Sequence, residues 1–173
     1  ILAIAASRLE AASEDLVLSR LPEVLRAFVR TPPLVDFELT VGLSETLYEQ
    51  LDSGQLDLLF CKRRTGEDHG RLVWRDRLAW IGAEDFTLPP GRPVPLVLYP
   101  PPSISRAMII EALEAAGHPW HVACTSGSLT GLTAAVAAGL GVMAHARQLI
   151  PPGLRALPAD PPLPALGEVE FVL

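Results

Sequence analysis

The chain has 173 residues, 49 % of them hydrophobic and 20 % charged, so it can bury one ample core or two small ones. Its 14 basic residues against 20 acidic ones, a net charge of −6, and the lack of any Lys/Arg run beyond residues 61–64 exclude a chain that grips a phosphate backbone by itself. The most apolar stretch, residues 129–146, is broken by Thr130, Thr133, Gly131, Gly139 and Gly141 and falls short of a bilayer span, so no membrane contact is expected.

Residues 9–13 read as a short strand. Leu21, Val24, Leu25, Phe28 and Val29 then recur at helical spacing until Pro32 and Pro33 stop them. Val35, Phe37, Leu39 and Val41 alternate with Asp36, Glu38 and Thr40, the period of a half-buried strand. Ser44 is the predicted N-cap of a second helix, with Glu45 near its positive end and Leu47 and Leu51 on its inner face. Gly54 closes that helix, and residues 56–61 form an apolar strand.

The second half repeats the pattern. Residues 95–99 read as a strand and Ser103 as a cap. Ile104, Met108, Ala112, Leu113 and Ala116 form the expected inner face of a helix ended by Gly117 and Pro119. Residues 120–124 form the next strand, Ser126 or Ser128 caps a helix striped by Leu129, Leu132, Val136 and Leu140, and residues 141–146 are the closing strand. Each half is strand, capped helix, strand, capped helix, glycine, strand.

Residues 71–82 make an extended run longer than one lobe needs, and the tail from 148 supplies no third lobe. The expected fold class is therefore α/β: two similar α/β lobes joined by two crossover strands, with a ligand cleft between them. Lobe one is expected at residues 9–77 with 148–173 returning to it, and lobe two at 78–147; residues 1–8 read as the end of a linker helix.

In such a fold the turn Thr125-Ser126-Gly127-Ser128 sits at the crevice, where free amides and a helix dipole attract a carboxylate or other anion. Each serine could equally be a plain cap. Enzyme motifs fail on spacing. The serine of Gly127-Ser128-Leu129-Thr130-Gly131 stands second and not third, Gly139-Leu140-Gly141 follows a helix and not a strand, and there is no phosphate-binding loop. His69, His118, His121 and His145 lack ligand spacing, so no metal and no cofactor is expected, and no catalytic residue. Cys61 and Cys124 are too few for a disulfide framework and read as buried thiols.

Residues 13–63, with Leu21-Pro22, Phe28, and the Leu51, Gly54, Leu56-Asp57 pattern before a strand, resemble the first lobe of the effector-binding domain of LysR-type transcriptional regulators. Residues 126–154, with Val136-Ala137 and Gly139, Gly141, Val142, resemble the second lobe of that domain. The resemblance implies a periplasmic-binding-protein-like fold and a regulator that is cytoplasmic. It also implies a small-molecule effector in the cleft, a side-by-side homodimer, and promoter DNA bound only through an N-terminal domain expected to be missing ahead of Ile1. Position by position it implies ligand contacts at Ser13, Cys61, Pro102, Ser103, Ser126, Gly127 and Ser128. Glu14 and Asp15 would oppose an anion at the first helix unless they point away. Ile109 and Ile110 exceed what one sheet-facing stripe needs and suggest a second buried face for the dimer. The alternative from another class is an exported solute-binding protein of a transport system, which shares the hinge but requires an export signal that the first ten residues do not display.

Overall fold

A computed structural model describes residues 10–13, 26, 38–88, 91–157 and 163–173. The helix read over Leu21 to Val29 lies outside these residues, save Arg26, whose backbone is helical. Glu14, Asp15 and the strand positions Val35 and Phe37 lie outside them as well.

Lobe one places three strands side by side: β1 (Glu10–Ser13) lies between β2 (Leu39–Gly42) and β3 (Leu58–Arg64), parallel to both. The helix α1 (Ser44–Asp52) follows β2 and returns the chain to β3. Its Leu47 packs with Leu59 and Cys61 from one face of β3, the face that alternation selects, and with Leu56 just ahead of that strand.

The long strand β4 (Leu72–Gly82) carries the chain across. Its first half pairs antiparallel with β9 (Glu168–Val172), which itself pairs with β3, and its second half pairs with β7 (Met143–Ala146). At its far end Ile81 and Gly82 meet the two-residue strand β8 (Arg155–Ala156). Among the described residues this gives the order β2-β1-β3-β9-β4-β7, so one hydrogen-bonded sheet runs through both lobes.

In lobe two, β5 (Val94–Leu98) and β6 (Trp120–Thr125) are parallel and joined by α2 (Ile104–Ala115), and α3 (Leu129–Ala137) follows β6. Val142 docks beside β5 through Val97 N–H to Val142 O and Val142 N–H to Pro95 O, both 2.9 Å. Gly141 permits this approach, because a Cβ there would stand 2.3 Å from the Pro95 carbonyl oxygen.

Alternation along β5 builds two half-cores. Leu96 and Leu98 face α2 with Ile104, Ile109 and Leu113, while Val97 and Tyr99 face α3 with Leu129, Leu132 and Val136. The α2 half-core continues onto Val169 and Phe171 of β9, where Trp74 stacks on Phe171 at 4.3 Å between ring centroids. Each such side chain removed from water contributes about 1.5–3 kcal/mol.

Three sequence expectations change. The inner face of α2 is Ile104, Ser105, Ile109 and Leu113, with Met108 and Ala112 only partly buried and Ala116 exposed. Ile109 is 1 % exposed and belongs to the core, so it is not part of a second apolar face. Leu140 is 51 % exposed because the helix ends at Ala137 and Gly139 turns at φ 76, which takes Leu140 off the stripe.

Candidate functional site

The carboxyl ends of β5 and β6 are adjacent, Leu98 opposite Thr125, and each runs into a helix capped by a serine. Ser103, 8 % exposed, caps α2 by accepting the Arg106 N–H at 3.3 Å, and its hydroxyl lies 3.2 Å from that of buried Ser105. Ser128 caps α3 by accepting the Gly131 N–H at 3.2 Å. Ser126 folds over that turn: its Oγ accepts the Ser128 N–H at 3.2 Å and donates to the Ser128 carbonyl at 3.3 Å. Its own N–H donates to the Leu98 carbonyl at 3.1 Å, which ties the turn to the end of β5. Gly131 makes room for this arrangement, since a Cβ there would lie 2.3 Å from Ser126 Oγ. Gly127 has open space around it, and Pro102 is exposed beside Ser103. Pro102, Ser103, Ser126, Gly127 and Ser128 thus share one rim.

In lobe one the parallel registers place Ser13 beside Gly42 and one residue beyond the Ala12 to Phe60 pair, so Ser13, Gly42 and Cys61 mark one sheet edge. The predicted cap at Ser44 is not one. Leu43 occupies the N-cap without a side-chain bond, Ser44 is the first helical residue, and its Oγ accepts the Lys62 N–H at 3.2 Å. Cys61 is 0 % exposed beneath α1, with the buried Tyr48 hydroxyl against its sulfur. Burial pushes the Cys61 thiol up to about 11 and raises Tyr48 too, so both are neutral near pH 7. A protonated, enclosed thiol is a poor nucleophile.

Between the rims, buried charges hold the crossover, and no local pattern signals them because their partners lie about a hundred residues away. Glu170 on β9, 2 % exposed, accepts Arg75 Nε at 2.7 Å and Arg63 Nε at 2.8 Å from the strands on either side. The Arg75 and Arg63 hydrogen bonds hold its carboxyl below the usual carboxylate range. Arg63 also donates to the carbonyls of His69 and Gly70, closing the turn between β3 and β4. Asp76, buried where β4 passes from β9 to β7, accepts the Gln148 N–H at 2.8 Å and the Arg77 N–H at 2.8 Å. On the outside, Arg64 of β3 forks onto Glu111 of α2 at 3.1 and 3.2 Å.

Among the described residues, cavities also open elsewhere. One of about 420 Å³ opens around Arg64, Met108, Glu111 and Leu166, and one of about 560 Å³ runs beside α1 at Tyr48, Leu51 and His69. Neither is lined by the serines of the rim. Among the described residues no group of three or more His, Cys, Asp or Glu is placed to hold a metal ion, and no helix is long and apolar enough to cross a membrane.

The model of the LysR substrate binding domain matches residues 11–172. The chain is 28 % identical over 162 residues to the HTH-type transcriptional regulator PecT of Dickeya dadantii (strain 3937), covering 94 % of this chain and 51 % of PecT. It is 31 % identical over 153 residues to the HTH-type transcriptional regulator DgdR of Burkholderia cepacia, covering 88 % of this chain and 52 % of DgdR. It therefore spans about half the length of these relatives. The effector-binding domain of QuiR in complex with shikimate superposes with a TM-score of 0.67 at 14 % identity, covering 96 % of this chain and 86 % of that one. With the matched region taking in both lobes and the crossover between them, the chain belongs to the LysR substrate binding domain family.

Proposed function

We propose that this domain binds a small molecule in the cleft between its lobes and passes that event to a DNA-binding part of a LysR-type regulator, without catalysing a reaction. The observation that carries the reading is the rim of lobe two, where two adjacent parallel strands end in serine-capped helices within a chain of this family. Such strand ends are where open α/β folds receive ligands. Ser103, Ser126, Gly127, Ser128 and Pro102 are the contacts of lobe two, and Ser13 and Cys61 those of lobe one. Buried Cys61 serves through the backbone at its edge and through the shape its side chain gives α1. Lobe one comprises residues 9–77 with 148–173 returning to it, lobe two residues 78–147, a division supported by β9 lying between β3 and β4.

A carboxylate is the expected effector class, supported by the capped helix starts and by the shikimate bound to the structural neighbour. The full-length regulator acts in the cytoplasm as a homodimer, with Ile110, partly exposed on α2, at the interface. The transport alternative loses ground because PecT and DgdR, each matched over more than four fifths of this chain, are transcriptional regulators.

The test is a thermal-shift screen of small carboxylates followed by calorimetry. Ser103→Ala and Ser126→Ala should each weaken the effector found by about 0.5–1.5 kcal/mol. Gly131→Ala should weaken it as well, because the new Cβ expels Ser126 Oγ from its place. Unchanged affinity in all three variants would remove this rim from the site.

A further inference from the structure

Three arginines of the crossover bind carboxylates of the adjacent strand β9: Arg63 and Arg75 hold Glu170, and Arg77 holds Glu168. Arg64 leaves the sheet. It stands at the end of β3 and forks onto Glu111 of α2, with Nη1 donating to Oε2 at 3.2 Å and Nη2 to Oε1 at 3.1 Å. On the lobe division proposed above, the fork bridges a strand of lobe one and a helix of lobe two.

The ground beside this bridge is open. A cavity of about 420 Å³ is lined by Arg64 and Thr65 of lobe one, by Met108 and Ala112 of lobe two, and by Leu166. Ile109 and Leu113 are buried in the core, whereas Met108 and Ala112 are only partly buried. At this seam charge spans a gap that apolar packing leaves unfilled. Both ends of the bridge are anchored. Arg63, next to Arg64, is tied to Glu170; the Arg64 N–H donates to the Glu67 carboxylate at 3.1 Å, and the Thr65 hydroxyl donates to the Glu168 carbonyl at 3.2 Å. Glu111 belongs to the helix that starts at the Ser103 cap, about 12 Å back along the axis. A helix moves as one body, so a restraint at Glu111 reaches the rim of lobe two. An exposed ion pair shifts an equilibrium by up to about five-fold, and the two-bonded fork of arginine on carboxylate lies at the upper end.

We propose that the Arg64–Glu111 fork is an interlobe latch, a conformational contact that holds the lobes at their present separation; loosening it lets them sample wider ones. A ligand that changes the separation works against the latch, so this pair sets how far binding in the cleft moves the chain. The proposal rests on the two-lobe reading above, but its readout needs no effector. Spin labels are placed through Glu49→Cys on α1 and Ala134→Cys on α3, both exposed positions, in a Cys124→Ser background, with Cys61 sealed in the core. The labelled chain is diluted with unlabelled chain, and pulsed electron-spin resonance reads the distance distribution within one molecule. Arg64→Gln and Glu111→Gln should each shift the population toward longer distances by up to about five-fold, and Arg64→Glu, which sets two carboxylates face to face, by more. The charge-swapped pair Arg64→Glu with Glu111→Arg should restore the starting distribution, and Arg77→Gln, which breaks an exposed pair within the sheet, should leave it unchanged. Salt at about 1 M should move the unaltered fork toward the Arg64→Gln distribution, a test that needs no substitution at the fork. Identical distributions for the unaltered fork, Arg64→Gln and Arg64→Glu, or a shift that Arg77→Gln reproduces and the swapped pair does not reverse, would overturn the latch. Either result leaves the cleft reading to the calorimetry of the serine variants.

Discussion

At the strand ends of lobe two both helices start on serine caps, carry no acid in their first turns and have Arg106 beside them. At the corresponding end of lobe one, α1 starts on Leu43 without a side-chain cap, carries Glu45, and uses its serine to hold the neighbouring strand at Lys62. The same strand-to-helix joint is thus spent on helix-capping hydroxyls at the rim in one lobe and on knitting helix to sheet in the other. Topological repetition fixes where a site can form, and the side chains at the joint decide what it can hold.

The comparison breaks first if the lobes are not one folding unit. Phe171 shares a core with Leu96, Leu98 and Ile109 of lobe two while stacking on Trp74. Phe171→Ala should cost about 3–5 kcal/mol, with fluorescence and circular-dichroism melts remaining coincident. Separate transitions would show lobes that fold independently.

Glu170→Gln comes next. Because its folded pKa is depressed, the carboxylate contributes stability above the ordinary carboxylate range, and that contribution is lost as pH falls through the depressed value. The variant should melt several degrees below wild type at pH 7, and the gap should narrow on acidification. A gap independent of pH would show that shape, and not charge, holds the crossover.

Cys61 sharpens the lobe-one side. Its raised pKa means that the folded state keeps a proton which the unfolded state releases, so the stabilisation is complete below the unfolded pKa and is lost as pH rises toward about 11. Denaturation across this alkaline range should show a loss on the order of 2 kcal/mol that Cys61→Ala lacks. Equal slopes in the two proteins would contradict the sealed environment.

The smallest effects separate the two serines. Ser128→Ala should cost about 1 kcal/mol and also weaken the effector, whereas Ser44→Ala should cost about as much stability without touching binding. A matching binding loss in Ser44→Ala would erase the distinction between the lobes.

Local chemistry explains what could be read from residues alone. The stripe of Leu129, Leu132 and Val136, the cap at Ser103 and the long run that became β4 all follow from spacing and turn residues, which are properties of neighbours in sequence. Ser44 has the chemistry of a cap but was claimed by a backbone amide eighteen positions away, a contact that only the sheet register creates. Met108 and Ala112 fit the helical stripe, yet Ser105 and Ile109 took the buried positions because α2 packs on β5 and leans toward β9 at once. At the candidate site the small residues of the turn at 125–128 were legible.

Hydrogen exchange of the whole chain with and without the effector identified by screening tests the central claim most directly. Ligand held between the lobes should slow exchange at both rims, residues 42–44 and 61–63 in lobe one and residues 103–106 and 126–131 in lobe two. Protection confined to a single lobe, or to the cavities beside α1 and around Met108, would contradict it.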